Sequence, residues 1–113
     1  MPRLCLMLDL KDDPTLIAEY RRYHQKVWPE VTQSLRDAGI LEMEIYLRGN
    51  RLFMVLDTVE GFSFEAKLKA DAQNPKVCEW ENLMAKFQQP LPGSKPGEKW
   101  QAMDLAFKLT EQV

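Results

Sequence analysis

Four stretches in which apolar and polar residues alternate constrain the fold of this chain more than any other feature. In residues 3–10 a leucine occupies every second position, and alternation of this kind is the periodicity of a half-buried strand. Residues 41–47 and 51–58 alternate in the same way on either side of Gly49-Asn50, which is a hairpin signal. Residues 100–109 alternate again at the end of the chain. We therefore predict four strands, of which the second and third form a hairpin.

Helical spacing fills the two intervals between these strands. In residues 15–38 apolar side chains recur three or four positions apart, and Asp13 is placed to cap the start of a helix. Pro29 falls inside this stretch and lacks the amide that an unbroken helix requires, so we expect a kink or a break there. Residues 62–72 and 75–87 predict a second helix that is split in two. The order βαββαβ is typical of a ferredoxin-like α+β sandwich.

Composition and charge restrict the partners and the compartment. The chain has 113 residues, which we assign to one domain spanning residues 1–113. A net charge of -2 provides no basic face, so we expect no nucleic-acid partner. The N-terminus reads as a strand rather than a signal peptide, and no apolar run approaches the roughly 20 residues of a membrane span. With one histidine and two distant cysteines, Cys5 and Cys78, we expect no zinc site and predict reduced thiols in the cytoplasm.

The strand predicted at residues 51–58 is apolar on both faces, because Phe53 and Val55 point away from the residues that alternate with them. Helices cover only one face of a sheet in this fold, so the second face needs another cover. A second copy of the chain is the simplest cover, and we predict a homodimer. Residues 88–99 are rich in proline and glycine and predict a long loop, a lid or arm over its own site or its partner's.

Tyr20, His24 and Trp28 are spaced four residues apart and would share one broad face of the predicted first helix. His24 titrates nearest to neutral pH without help, and a phenol and an indole beside it would form a proton-transfer site with an aromatic wall. The spacing alone favours a simpler interpretation, an amphipathic stripe with a histidine at its edge, since tyrosine and histidine often line core margins.

Carboxylates and one further tryptophan provide weaker signals. Trp80 is followed by Glu81, and an exposed tryptophan beside acids suits a sugar, although a core anchor is the favoured interpretation. Glu42 and Glu44 form a carboxylate pair suited to acid–base work, but we favour solvated side chains. Asp9 lies opposite the leucines of its strand and is either exposed or buried with a partner.

The run from Tyr20 to Glu30, with the pattern Tyr-x3-His-x3-Trp-Pro-Glu, resembles the signature of the L-rhamnose mutarotase family. The hairpin segment, the stretch from Asn74-Pro75 to Trp80 and the closing Phe107 match that family in the same order. The resemblance implies a dimeric α/β barrel of two ferredoxin-like subunits. It also implies interconversion of the α and β anomers of a 6-deoxy-L-sugar, an isomerase activity without metal or cofactor.

The resemblance also assigns roles to residues. His24 corresponds to the acid–base group, Tyr20 to a residue beside the substrate, and Trp80 to a tryptophan that contacts the sugar. Two positions depart from the rhamnose-specific pattern: Met43 stands where those members have a sugar-contacting tyrosine, and Glu81 stands where they have a second tryptophan. Some members resemble L-fucose mutarotases, so both L-rhamnose and L-fucose are candidate substrates.

In the mechanism that we expect, His24 protonates the ring oxygen while Tyr20 orients it or exchanges a proton at O1. Trp28 and Trp80 provide an apolar wall, Glu81 bonds a hydroxyl, and Met43 completes the substrate-binding set. A place for Trp28 behind the residues that touch the sugar is an equal alternative. Two other functions stay open: a cofactor-free monooxygenase of the same dimeric fold, and a non-catalytic sugar-binding module.

Overall fold

The computed structural model of the protein describes residues 2–112, and its sheet has the strand order of a ferredoxin-like sandwich. The strands are β1 (Arg3–Leu10), β2 (Ile40–Arg48), β3 (Arg51–Thr58), β4 (Gln88–Gln89) and β5 (Gln101–Met103). They pair in the order β2-β3-β1-β4, all pairs are antiparallel, and β5 also pairs with β1. The predicted fold is therefore confirmed.

Two pairs of helices connect the strands: α1 (Pro14–Tyr23), α2 (Pro29–Asp37), α3 (Phe64–Ala72) and α4 (Pro75–Ala85). The expected break near Pro29 is confirmed, because residues 24–28 separate α1 from α2. Trp28 has an extended ψ of 135°, as steric conflict with the following proline ring requires. The prediction that Trp28 shares a helix face with Tyr20 is consequently wrong.

The helices pack on the leucine face of the sheet. Leu6, Leu8 and Leu10 of β1 are buried there. Leu41, predicted on the same face of β2, is instead 53% exposed because a register irregularity between Ile40 and Glu42 turns it outward. The core contains two clusters, the first with Leu10, Tyr20, Val31, Leu52, Val77, Trp80, Met84 and Phe87, the second with Leu6, Ile40, Met54 and Leu56.

The opposite face of the sheet is apolar in the middle and charged at both ends. Its central residues, Cys5, Met7, Phe53 and Val55, are half-buried. Asp9, which is 4% exposed, forms an ion pair with Arg51 at one end, with 2.8 Å between Oδ1 and Nε. Arg3 and Asp57 form the pair at the other end, at 2.9 Å. Asp9 is therefore buried with a partner.

The predicted C-terminal strand is much shorter than residues 100–109. Met103 pairs with Cys5, and since β1 begins at Arg3, antiparallel pairing has room for only two more residues. The chain beyond Met103 runs past the edge of the sheet, so Leu105 and Phe107 are 73% and 64% exposed. This segment offers an apolar surface that its own chain does not cover.

The proline-rich loop is anchored to its own chain at both ends. β4 pairs with Asp9 and Leu10, and β5 pairs with an earlier part of β1, so residues 90–100 leave and rejoin the same edge. Leu91 is buried, and Trp100 packs against both core clusters.

Candidate functional site

His24 lies at the C-terminal end of α1, where its backbone caps the helix. Its Nδ1 is 2.8 Å from the carbonyl oxygen of Tyr20. A carbonyl only accepts, so Nδ1 carries the proton and the neutral ring keeps a free lone pair on Nε2. Burial lowers the pKa of His24 and the hydrogen bond to Tyr20 opposes this only in part, so the neutral form prevails at pH 7.

Aromatic rings hold the imidazole in place. The Tyr20 ring centroid is 4.1 Å from that of His24, and the Trp80 centroid is 5.5 Å away. Trp28 packs on Trp80 at 5.2 Å, edge to face. Trp80 is 5% exposed and belongs to the core, which confirms its interpretation as a core anchor. Trp28 therefore lies near His24 after all. It does so through its contact with Trp80 of α4, and not through a shared helix face.

Two clefts flank His24, and the side chains of His24 and Ile45 line both of them. The Tyr20 cleft has a volume of about 370 Å³ and the Met43 cleft about 360 Å³, at the lower end of the size range for small-molecule sites. The Tyr20 cleft is also lined by Arg21, Gln25, Tyr46, Leu47 and Leu52. The Met43 cleft is also lined by Val27, Thr32, Leu35, Arg36, Ile40, Leu41 and Glu42.

Tyr20 supplies a phenol that stays protonated. Burial raises its pKa, and the negative charge of Glu81 raises it further. Its hydroxyl takes part in no hydrogen bond within residues 2–112, so it is available as a donor to a ligand.

Glu81 follows Trp80 on α4 but lines neither cleft. The surrounding protein desolvates its carboxylate and raises its pKa, an effect that Lys99 and Lys67 oppose and that Asp71 reinforces. Its side chain nevertheless keeps contact with solvent. Of the residues predicted to form the site, the structure therefore gathers Tyr20, Met43 and His24 around the clefts, with Trp28 and Trp80 behind them and Glu81 outside.

Sequence reasoning missed Arg36, which reaches the Met43 cleft from α2. Arg36 lies at this cleft only because α2 packs beside β2, and the position of α2 depends on the break at Pro29. Glu42 was expected to be merely solvated, and it is exposed at the rim of the same cleft.

Other parts of the described chain are weaker candidates for a functional site. A groove of about 610 Å³ between α2 and α3 contains no histidine, so it lacks a group that titrates near neutral pH. Residues 2–112 contain no group of three or more histidine, cysteine or acidic side chains placed to hold a metal ion. None of the helices in that range is long and apolar enough to cross a membrane.

Comparison with known sequences points to one family. The sequence profile of the family described as L-rhamnose mutarotase matches residues 3–109. The L-fucose mutarotase of Xanthomonas campestris pv. campestris is 50% identical, and the alignment covers 100% of this chain and 92% of that protein. The L-rhamnose mutarotase of Acidiphilium cryptum is 33% identical over 74% of this chain and 79% of its own.

Comparison with solved structures agrees on the fold. An L-rhamnose mutarotase from Formosa agariphila superposes with a TM-score of 0.70 at 24% identity, covering 96% of this chain and 99% of its own. The tetracenomycin F2 cyclase of Streptomyces glaucescens gives a TM-score of 0.58 at 10% identity, covering 96% and 98%. At these identities the likeness concerns the architecture alone.

Proposed function

Because this chain belongs to the L-rhamnose mutarotase family, we propose that it is an isomerase that interconverts the α and β anomers of a 6-deoxy-L-hexose. L-Fucose is the first candidate substrate, since the relative that aligns with the whole chain is named an L-fucose mutarotase. L-Rhamnose is the second. The observation that carries the proposal is a neutral histidine, fixed through Nδ1, between two clefts of monosaccharide size.

The lowered pKa of His24 favours a different order of proton transfer from the one expected from sequence. The neutral ring first acts as a base, and Nε2 takes the proton from the anomeric O1 hydroxyl. As the C1–O1 double bond forms, the bond from C1 to the ring oxygen breaks, and the imidazolium returns its proton to that oxygen. Rotation about C1–C2 and the reverse steps close the ring as the other anomer, with no net gain or loss of protons.

Tyr20 assists by donating a hydrogen bond. A phenol with a raised pKa does not ionise near neutral pH, so its role is to orient an oxygen of the sugar rather than to remove a proton. Trp28 and Trp80 fix the imidazole from behind, and Met43 forms apolar wall in the adjoining cleft. Glu81 acts at a distance, through its charge on Tyr20, or meets a hydroxyl from the solvent side.

Saturation-transfer proton NMR on the anomeric signals of L-fucose and L-rhamnose tests the function directly. We expect catalytic amounts of the protein to accelerate anomer exchange for at least one sugar. His24→Asn should abolish the acceleration, and Lys26→Gln, in the same linker but outside both clefts, should preserve it.

Three results would contradict the proposal. Acceleration that survives in His24→Asn would remove the histidine from the mechanism. Thermal stabilisation by either sugar without faster exchange would indicate the sugar-binding module instead. Absence of both effects, with oxygen uptake on quinol-like substrates, would favour the monooxygenase.

We further propose that the protein is a cytoplasmic homodimer. The half-buried centre of the open sheet face supports the dimer, as does the exposed apolar segment after β5. Both cysteines are free thiols, which suits a reducing compartment.

A further inference from the structure

The Met43 cleft contains two charged side chains that the proposed proton transfer does not use. Arg36 enters from α2 and forms no ion pair within residues 2–112. Glu42 enters from β2, and its Oε1 accepts a hydrogen bond from the backbone amide of Met43 at 3.0 Å. That contact uses one carboxylate oxygen, and the other, Oε2, accepts no hydrogen bond within residues 2–112.

We propose that Arg36 and Glu42 bind hydroxyl groups of the sugar and thereby determine which 6-deoxy-L-hexose is accepted; this inference rests on the proposed function. Because His24 takes the proton of the anomeric hydroxyl in the proposed mechanism, the other lining groups of the cleft must meet hydroxyls on other carbons of the ring. A guanidinium donates up to five hydrogen bonds and a carboxylate only accepts them. A hydroxyl both donates and accepts, so two neighbouring hydroxyls satisfy this pair together.

The rest of the lining supports the assignment. Met43 has no hydrogen-bond donor and only a weak acceptor, so it cannot distinguish one hydroxyl configuration from another. Val27, Leu35 and Ile45 provide apolar surface for the C–H edges and the methyl group of a deoxy sugar. Thr32 also lines this cleft, but its hydroxyl already donates a hydrogen bond to the carbonyl oxygen of Pro29 at 3.1 Å. Within this cleft, discrimination between sugars therefore depends mainly on the two charged groups at its rim.

Sugar affinity separates this inference from catalysis. Dissociation constants for L-fucose and L-rhamnose are measured by NMR titration of the protein, in the wild type and in a His24→Asn background. We expect Arg36→Met and Glu42→Gln each to raise the dissociation constant at least about fivefold, since each removes a charge-assisted hydrogen bond. In the active protein, KM should rise by a similar factor while kcat changes by less than about twofold.

Matched controls and a specificity readout complete the design. Arg22→Met and Glu65→Gln make the same substitutions at exposed positions that line neither cleft, and they should leave both constants unchanged. The two sugars differ in configuration at carbons 2 and 4, so the ratio of their affinities should change in Arg36→Met and Glu42→Gln. Arg36→Lys keeps the charge and should recover part of the affinity.

The outcomes distinguish the two proposals. If the wild type exchanges anomers but both charge variants bind either sugar normally, the inference is overturned and the function stands. If the charge variants lose affinity in the His24→Asn background as well, the inference is supported independently of turnover. A wild type that neither binds nor exchanges these sugars would overturn both.

Discussion

The two nitrogens of a single imidazole have different tasks in this protein. The carbonyl of Tyr20, in the last turn of α1, accepts hydrogen bonds from both the backbone amide and Nδ1 of His24, at 3.3 and 2.8 Å, and so holds Nδ1 in its protonated form. Nε2 then remains a base on the side of the clefts. Tyr20 thus supplies three groups beside the histidine: a backbone acceptor, an adjacent aromatic ring and a phenol donor.

The rate of anomer exchange should depend on pH through His24. Its pKa is lowered from 6.5 by burial, so the basic form predominates at pH 7 and is lost as pH falls through a pKa below the ordinary histidine value. We expect kcat/KM to be flat above neutrality and to decline in acid. Because His24 is the only histidine, proton NMR of its ring gives the same pKa without assignment. A pKa above 6.5, or a rate that rises in acid, would contradict the proposed base.

Tyr20→Phe should separate the hydroxyl of this residue from its packing. The ring contributes to the core and contacts Phe87 and His24, and phenylalanine keeps those contacts. The hydroxyl has no partner among the described residues, so the free energy of unfolding should change by less than about 1 kcal/mol. The exchange rate should fall about tenfold, since a hydrogen bond contributes about 1 kcal/mol and each 1.4 kcal/mol of barrier is roughly a factor of ten. A variant with normal activity would exclude the phenol from the site.

At the scale of elements, the sequence correctly predicted the strands whose bounds are determined by residues close to them in the chain. The predicted bounds of β1 and β3 agree with the structure because two apolar faces and a Gly49-Asn50 turn fix their register. Gly49 has a φ of 60°, which favours glycine at the first position of the hairpin turn. The irregularity after Ile40 has no local signal, so Leu41 was placed on the wrong face.

Predictions failed where another element decides the outcome. The closing strand stops at Met103, and β1 could have paired with at most two further residues, a limit that alternation in residues 104–109 cannot reveal. For the site, four-residue spacing indicated the proximity of Tyr20 and His24. The contact of His24 with Trp80, and the approach of Arg36 to the same cleft, depend on packing between distant segments.

The helix that carries the site should depend on its N-terminal cap. The carboxylate of Asp13 accepts hydrogen bonds from the amides of Thr15 and Leu16, at 2.9 and 3.2 Å. Asp13→Ala should lower the free energy of unfolding by about 1 kcal/mol in urea titrations. Asp12→Ala, the neighbouring exposed acid without a capping role, is the matched control. Equal effects of the two substitutions would show that net charge rather than capping is responsible.

At the scale of the whole molecule, the sheet has one covered face and one open face. The helices, the clefts and His24 lie on the covered side, where the core clusters form. The open side carries an apolar centre between two ion pairs, and Leu105 and Phe107 of the C-terminal segment are also exposed. Such a surface suits an isologous contact with a second copy, in which each open face covers the other.

Phe53→Lys should convert the proposed dimer to single chains. Phe53 lies at the centre of the open face, opposite Met7 on β1 and Tyr46 on β2. A buried, unpaired ammonium in a sheet-to-sheet contact is strongly unfavourable, whereas the same charge is readily solvated on an isolated sheet. Sedimentation equilibrium should give twice the chain mass of 13.2 kDa for the wild type and a single chain mass for the variant. Leu68→Lys, on the exposed side of α3, should leave the mass unchanged.

The activity of that monomeric variant shows whether one chain contains a whole site. Both clefts beside His24 are lined by residues of a single chain, and Tyr46 is the lining residue that also borders the open face. Phe53→Lys should therefore retain anomer exchange within about threefold of the wild type, at temperatures where it remains folded. If exchange is lost while the variant is folded and monomeric, the partner must complete the site, and the exposed segment around Leu105 and Phe107 would be the first part of the partner to examine. A wild type that sediments as one chain would instead remove the dimer from the proposal and leave the clefts as they are described.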